Sequence, residues 1–240
     1  MPDVPTNLIL GHVGPSVIQI QIHLEYKKIT IHLFHHLEML HISYMIHGNG
    51  HKTLVFDRNR ENRKKKFIEN VDYMEGFWND YNIIKKFQNQ CLQKFELVWS
   101  LIDSPDVDDI SKFLEQYKNS RTIKTQHLSL GIYHGDEIPI ILQHLDANCL
   151  NYIRFFRRSY YDKNIDFTEI AKLDQWKNAQ TCTTQNLPIN ATMKHFTHLS
   201  YIDAEFQNSD AEDLKGLTEG IGEKMRMKGE MQGRDIAEED

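Results

Sequence analysis

Histidines are the residues in this chain best suited to chemistry, and four of the thirteen share a phase. His23, His32, His41 and His47 fall on the polar side of runs in which every second residue is apolar. Imidazoles brought together by neighbouring strands can ligate zinc, which accepts nitrogen donors in a tetrahedral set. Alternation alone supplies no such geometry, and no cysteine or carboxylate stands beside them at helical spacing. The plainer reading is a polar sheet face carrying solvated histidines. A histidine-based metal-binding protein is therefore the second reading, with His32 and His41 as test positions. His35 and His36 read as turn residues.

Other candidates are weaker. The run Arg58-Asn59-Arg60-Glu61-Asn62-Arg63-Lys64-Lys65-Lys66 is strongly basic and can attract nucleic acid or an acidic partner. No aromatic residue interrupts it to stack on bases, so it reads as a solvated loop and a first helical turn. Asp106, Asp108 and Asp109 suit the positive end of a helix dipole and lack the glycine and glutamate of a calcium loop. There is no Gly-x-Ser-x-Gly elbow, no phosphate-cradling glycine loop and no His-Glu-x-x-His. Cys91, Cys149 and Cys182 have neither disulfide-framework nor zinc-finger spacing, and read as reduced thiols inside the cell. Trp78, Trp99 and Trp176 sit at or beside core-phase positions.

The elements that must position these groups come from periodicity. Ile18, Ile20, Ile22 and Leu24 alternate with Gln19, Gln21 and His23, a strand with one buried face. Ile29, Ile31 and Leu33 repeat the pattern, then Leu40, Ile42, Tyr44 and Ile46. Gly48-Asn49-Gly50 suits a tight turn, and His51 to Phe56 returns as a fourth strand. Short connections between alternating strands predict an antiparallel meander over residues 17–56. The polar stretch Asp57 to Lys66 is the best boundary.

Beyond it, Asp72 with Glu75 predicts a capped helix whose face is Tyr73, Phe77, Tyr81, Ile84, Phe87 and Cys91. Short strands then alternate with helices. Strands are expected at Phe95–Ser100, Thr125–Ile132, Leu150–Phe156, Ala179–Thr184 and Leu199–Phe206. Helices are expected after Ser104-Pro105, from Asp136, from Asp166 through Trp176, and after Ser209. The extended pieces recur every 20 to 30 residues or so, a solenoid-like period.

Composition limits the classes. The chain has 240 residues, 40% apolar and 26% charged, with a formal charge of −6. That is a globular mix, and a net acidic chain makes nucleic acid an unlikely general partner. Twelve acidic and five basic residues lie from Tyr201 onward, so the rest is near neutral. Residues 221–240 read as a disordered acidic tail and residues 1–16 as an N-terminal extension. No signal peptide or membrane span is expected, so the setting is intracellular, cytoplasmic or nuclear.

Four segments together resemble a known family. They are Glu75-Gly76-Phe77-Trp78-Asn79-Asp80 through Phe95; Ile140 through Ile153, with Gln143-His144-Leu145-Asp146-Ala147-Asn148; Leu173-Asp174-Gln175-Trp176-Lys177-Asn178-Ala179; and His195-Phe196-Thr197-His198-Leu199 followed by Asp213-Leu214. Their order and spacing are similar to the FTH domain, the C-terminal domain of nematode F-box A proteins. Gln-Trp-Lys-x-Ala is the most specific piece. The resemblance runs over about Val17 to Ile221 and implies a substrate-recognition domain of a ubiquitin-ligase adaptor. Such proteins carry an F-box that binds a Skp1-like adaptor. Met1 to Ser16 is too short to be one, so docking to the ligase is not expected.

The expectation is a mixed α/β fold. An antiparallel meander (17–56) leads into helix and strand/helix repeats like a leucine-rich-repeat array (67–220). The expected function is a protein-interaction module that is not an enzyme and needs no metal or cofactor. Arg157, Arg158, Tyr160 and Tyr161 are its candidate contact patch, because arginine and tyrosine are enriched in interfaces.

Overall fold

The computed structural model describes residues 17–35, 38–47, 52–58, 63–69, 71–88, 90–100, 107–157, 165–206 and 226–227. The alternating N-terminal runs form strands, as a period of two requires when one face must be buried. These are β1 (Gln19–Glu25), β2 (Lys28–His35), β3 (Glu38–His47), β4 (Lys52–Arg58) and β5 (Arg63–Glu69). They pair antiparallel in chain order. Strand β5 departs from expectation. The basic stretch reads as a loop because it lacks alternation, yet its backbone pairs with β4 from Arg58↔Arg63 to Lys52↔Glu69. A neighbour's unpaired ladder overrides weak local preference. Gly48-Asn49-Gly50 lies outside the described residues.

Helix α1 (Tyr73–Phe87) follows. The Asp72 carboxylate caps it, accepting from Met74 N at 2.8 Å. The helix ends at Phe87, so Cys91 lies beyond it rather than on its face. Phe77, Tyr81 and Ile84 are buried against the sheet, and the Tyr44 hydroxyl of β3 donates to Asp80 of α1 at 2.6 Å. Burial, and then the neighbouring Asp80 charge, raises the Tyr44 pKa well above the ordinary phenol range.

The chain next alternates strand and helix: β6 (Lys94–Trp99), α2 (Val107–Lys118), β7 (His127–Gly131), α3 (Glu137–Leu142), β8 (Tyr152–Phe156), α4 (Phe167–Ile170), α5 (Asp174–Asn178), β9 (Thr181–Gln185), a 3-10 turn (Met193–His195) and β10 (Tyr201–Ala204). A two-residue strand, β11 (Arg226–Met227), pairs with β10. Among the described residues the sheet has 11 strands, in the order β11-β10-β9-β8-β7-β6-β1-β2-β3-β4-β5. Strands β6 to β11 are mutually parallel, and β6 is parallel to β1. A strand that returns through a helix is normally parallel to its predecessor.

One feature repeats at four of the steps. The carbonyl just before a strand accepts from two amides of the next unit. Ile18 O takes Gln93 N and Lys94 N; Gln126 O takes Asn151 N and Tyr152 N; Asn151 O takes Gln180 N and Thr181 N; Gln180 O takes Ser200 N and Tyr201 N. The units are thus stacked in register. The Asp166 helix, read from sequence as one piece, is two, broken at Ala171–Leu173. Asp166 still caps the first of them through Thr168 N at 2.8 Å.

The core is one cluster between the sheet's inner face and the helices. Two aromatic groups fill it. Phe77, Trp78 and Phe113 pack with centroids 4.9 to 5.9 Å apart. Phe155, Phe167, Trp176 and Phe196 pack at 5.0 to 6.4 Å. The residues that carry the family resemblance are structural. Trp176 is 1% exposed and its indole N–H donates to His195 O at 2.8 Å. His198 Nε2 bonds Trp176 O at 2.8 Å, and the Gln175 amide donates to Leu145 O at 2.9 Å.

Trp176→Ala is expected to cost about 3–5 kcal/mol, the range for truncating a buried aromatic. Trp176→Phe keeps much of the volume but leaves His195 O unpaired, and is expected to cost about 1–3 kcal/mol. Urea unfolding midpoints check both, and equal midpoints for wild type and Trp176→Ala would refute the packing role.

Candidate functional site

Each of β1 to β3 and β6 to β10 gives one row of side chains to the core and one to the opposite face. The second row is polar. In register it runs His41, His32, Gln21, Glu96 across half the sheet, then Ser129, Arg154, Thr183, Asp203 across the other half. The described helices bury their apolar residues on the other side. The outer face is therefore the candidate functional site.

Three histidines stack along one end. The His32 ring lies 5.1 Å from His23 and 4.5 Å from His41, centroid to centroid. Rings laid side by side do not converge on a point. Among the described residues no group of three His, Cys, Asp or Glu side chains is placed to hold a metal ion. His41 Nε2 instead bonds Ser43 Oγ at 3.0 Å, and Ser43 Oγ shares a second 3.0 Å bond with Thr30.

Half-burial, and then the neighbouring His41 and His23, lower the His32 pKa to about 4. His127, 4.0 Å from the Tyr152 ring, is lowered to about 4 by burial and then by Lys94 and Arg154.

The other end is more charged. Lys94 and Glu96, two apart on β6, form an ion pair. The Arg154 guanidinium donates to Gln185 Oε1 and lies 5.5 Å from the Phe156 ring centroid, a cation–π arrangement. The Tyr152 and Thr183 hydroxyls share a 2.9 Å bond. A groove of about 850 Å³ runs over β8 to β10, lined by Tyr152, Arg154, Thr183 and Asp203. A second cavity of about 500 Å³ adjoins it over β6 to β8.

The four candidate contact residues fare differently. Arg157 is 3% exposed, at the end of β8, and its neighbour in charge is Glu137. Glu137 accepts from the backbone amides of Tyr133, His134 and Gly135, the last at 2.7 Å, and Gly135 takes φ +106° to allow it. Arg158, Tyr160 and Tyr161 lie outside the described residues. So do Asp106, the Ser104-Pro105 and Ser209 caps, residues 1–16, and the tail apart from 226–227.

The three thiols are free, with Cys182 buried and Cys91 and Cys149 half-buried. Burial, helped by Cys149, pushes the Cys91 thiol up to about 11, away from the thiolate a nucleophile needs. No described helix is long and apolar enough to cross a membrane.

The outer row had a signal that periodicity could have exposed. Phe95-Glu96-Leu97, Leu128-Ser129-Leu130, Ile153-Arg154-Phe155 and Ile202-Asp203-Ala204 each place one polar residue between two buried ones.

Acid is expected to destabilise the fold between about pH 6.5 and 4. In that window the unfolded chain protonates His32 and His127 while the folded chain keeps them neutral, so stability falls as pH falls and levels off below the window. Discounted for solvent screening, each is worth roughly 1–2 kcal/mol. Melting temperatures at pH 7, 5.5 and 4 check this, and His32→Gln with His127→Gln is expected to flatten the profile.

Residues 120–227 match the family model of the FTH domain. The resemblance read from the sequence holds over that segment, which contains β7 through β11. F-box A protein 224 of Caenorhabditis elegans is 20% identical over 153 residues, 62% of this chain and 39% of that protein. The chain thus spans about two fifths of the length of that curated relative. No solved structure matches.

Proposed function

We propose that this chain is a protein-interaction module of the substrate-recognition type and that the outer face of its sheet holds the partner. The FTH match over residues 120–227 and the likeness to an F-box A protein support the class. One observation carries the location. A sheet of stacked parallel strands covered by helices on one side offers its other side as a continuous, half-buried polar surface.

This reading treats β6 to β10 as a leucine-rich-repeat-like array joined to an antiparallel meander. Arrays of that kind use such extended surfaces for polypeptide partners. Binding, rather than catalysis, suits a face whose ionisable groups are paired with neighbours instead of converging on one point. Holding a target is the role proposed here; an F-box is named for the relative, of whose length the chain spans about two fifths. An intracellular setting goes with it. The contact patch extends this reading to Arg158, Tyr160 and Tyr161, which follow β8.

Quantitative affinity purification checks the face. Gln21→Arg with Thr183→Arg on the outer row is expected to lower partner recovery at least about tenfold, the loss expected when central interface positions are disrupted. Lys112→Glu with Glu115→Lys, exposed on α2, is expected to change nothing. Circular dichroism confirms that both variants fold. Loss in the helix variant alone would refute the assignment.

A further inference from the structure

The roughly 500 Å³ cavity over β6 to β8 has one-sided chemistry. Lys94, Arg154 and Arg157 line it against one carboxylate, Glu96. Glu96 is already paired with Lys94. Arg157 is also drawn towards Glu137, whose oxygens are taken up by three backbone amides. Arg154 therefore supplies most of the field at the mouth. Gln185 and Asn186 add amide groups at the rim.

The wall holds a second, independent feature. Ser129 is 1% exposed, faces this cavity, and its Oγ has no hydrogen-bond partner among the described residues. A buried hydroxyl without a partner is costly to keep. An alanine would fill the same space without that cost. An acceptor arriving from outside would satisfy it, and beside a guanidinium that acceptor is anionic.

We propose that this cavity seats an oxyanion carried by a partner polypeptide, a carboxylate or phosphoryl group paired with Arg154 and accepting a hydrogen bond from Ser129. The partner part of this rests on the reading of the outer face as the docking surface.

The test uses the full chain, labelled with nitrogen-15, at fixed ionic strength. It is titrated with sodium acetate, with sodium phosphate, and with the peptides acetyl-Gly-Gly-Glu-Gly-Gly-amide, its Gln analogue and its phosphoserine analogue. Saturable amide shifts centred on Ser129, Arg154 and Gln185 are expected. The Glu or the phosphoserine peptide is expected to bind at least about tenfold tighter than the Gln peptide, and which of the two leads identifies the source of the oxyanion. Arg154→Gln is expected to remove about tenfold in affinity. Ser129→Ala is expected to weaken binding about threefold to tenfold while the melting temperature holds or rises, a split that a merely structural serine would not give. Lys177→Gln, at an exposed position of α5, is the control.

Shifts that do not saturate, that spread evenly over the surface, or that survive both Arg154→Gln and Ser129→Ala overturn the proposal. If the oxyanion probes fail while Gln21→Arg with Thr183→Arg still abolishes partner recovery, the cavity assignment falls and the docking face stands. If the ions bind but partner recovery ignores the outer face, the polypeptide half of the proposal falls.

Discussion

The structure depends on a stacking constraint. A strand and the short helix after it cannot bury an apolar face alone; each unit needs the next one beside it. The repeated carbonyls at Gln126, Asn151 and Gln180 hold those neighbours in register, each taking two amides from the following unit. Because the polarity of every strand from β6 onward is the same, every connection must return across the sheet. The returns supply the helices, and the helices cover one side.

That one-sidedness has consequences for chemistry. The inner row is saturated by aromatic and aliphatic packing, with Phe155, Phe167, Trp176 and Phe196 closing one end and Phe77, Trp78 and Phe113 the other. Polar residues then fall on the outer row, the exposed helix faces and the loops, with Asp80 and Glu137 as buried helical exceptions. Close strand spacing presses the outer row together, so His23, His32 and His41 stack, while along β6 Lys94 pairs with Glu96 two residues on. Groups this crowded are half-buried, which is why His32 and His127 stay neutral well below the usual imidazole range.

The residues most typical of the family resemblance prove to be fasteners. Gln175, Trp176, His195 and His198 tie one unit to the next through the backbone. Two polar groups within the β7–β8 region are handled in opposite ways. Glu137 is buried and fully occupied by backbone amides, whereas Ser129 is buried and unoccupied.

Periodicity alone determined the one-faced strands of the first 46 residues, the Asp72 cap, the short strand-and-helix alternation after Lys94 and the core roles of the tryptophans. These follow from local steric and burial preferences, which need no partner to be expressed. Tertiary structure decided the rest. Strand β5 exists because β4 offers it a ladder, although its own residues lack alternation. The helix after Asp166 divides at Ala171–Leu173. Arg157 is buried at the end of β8, with Glu137 as a charged neighbour, and lines the cavity over β6 to β8. The outer row joins Glu96, Ser129, Arg154 and Asp203, which are up to 107 positions apart in sequence. Register across parallel strands is a property of how the chain returns, and no local pattern encodes it.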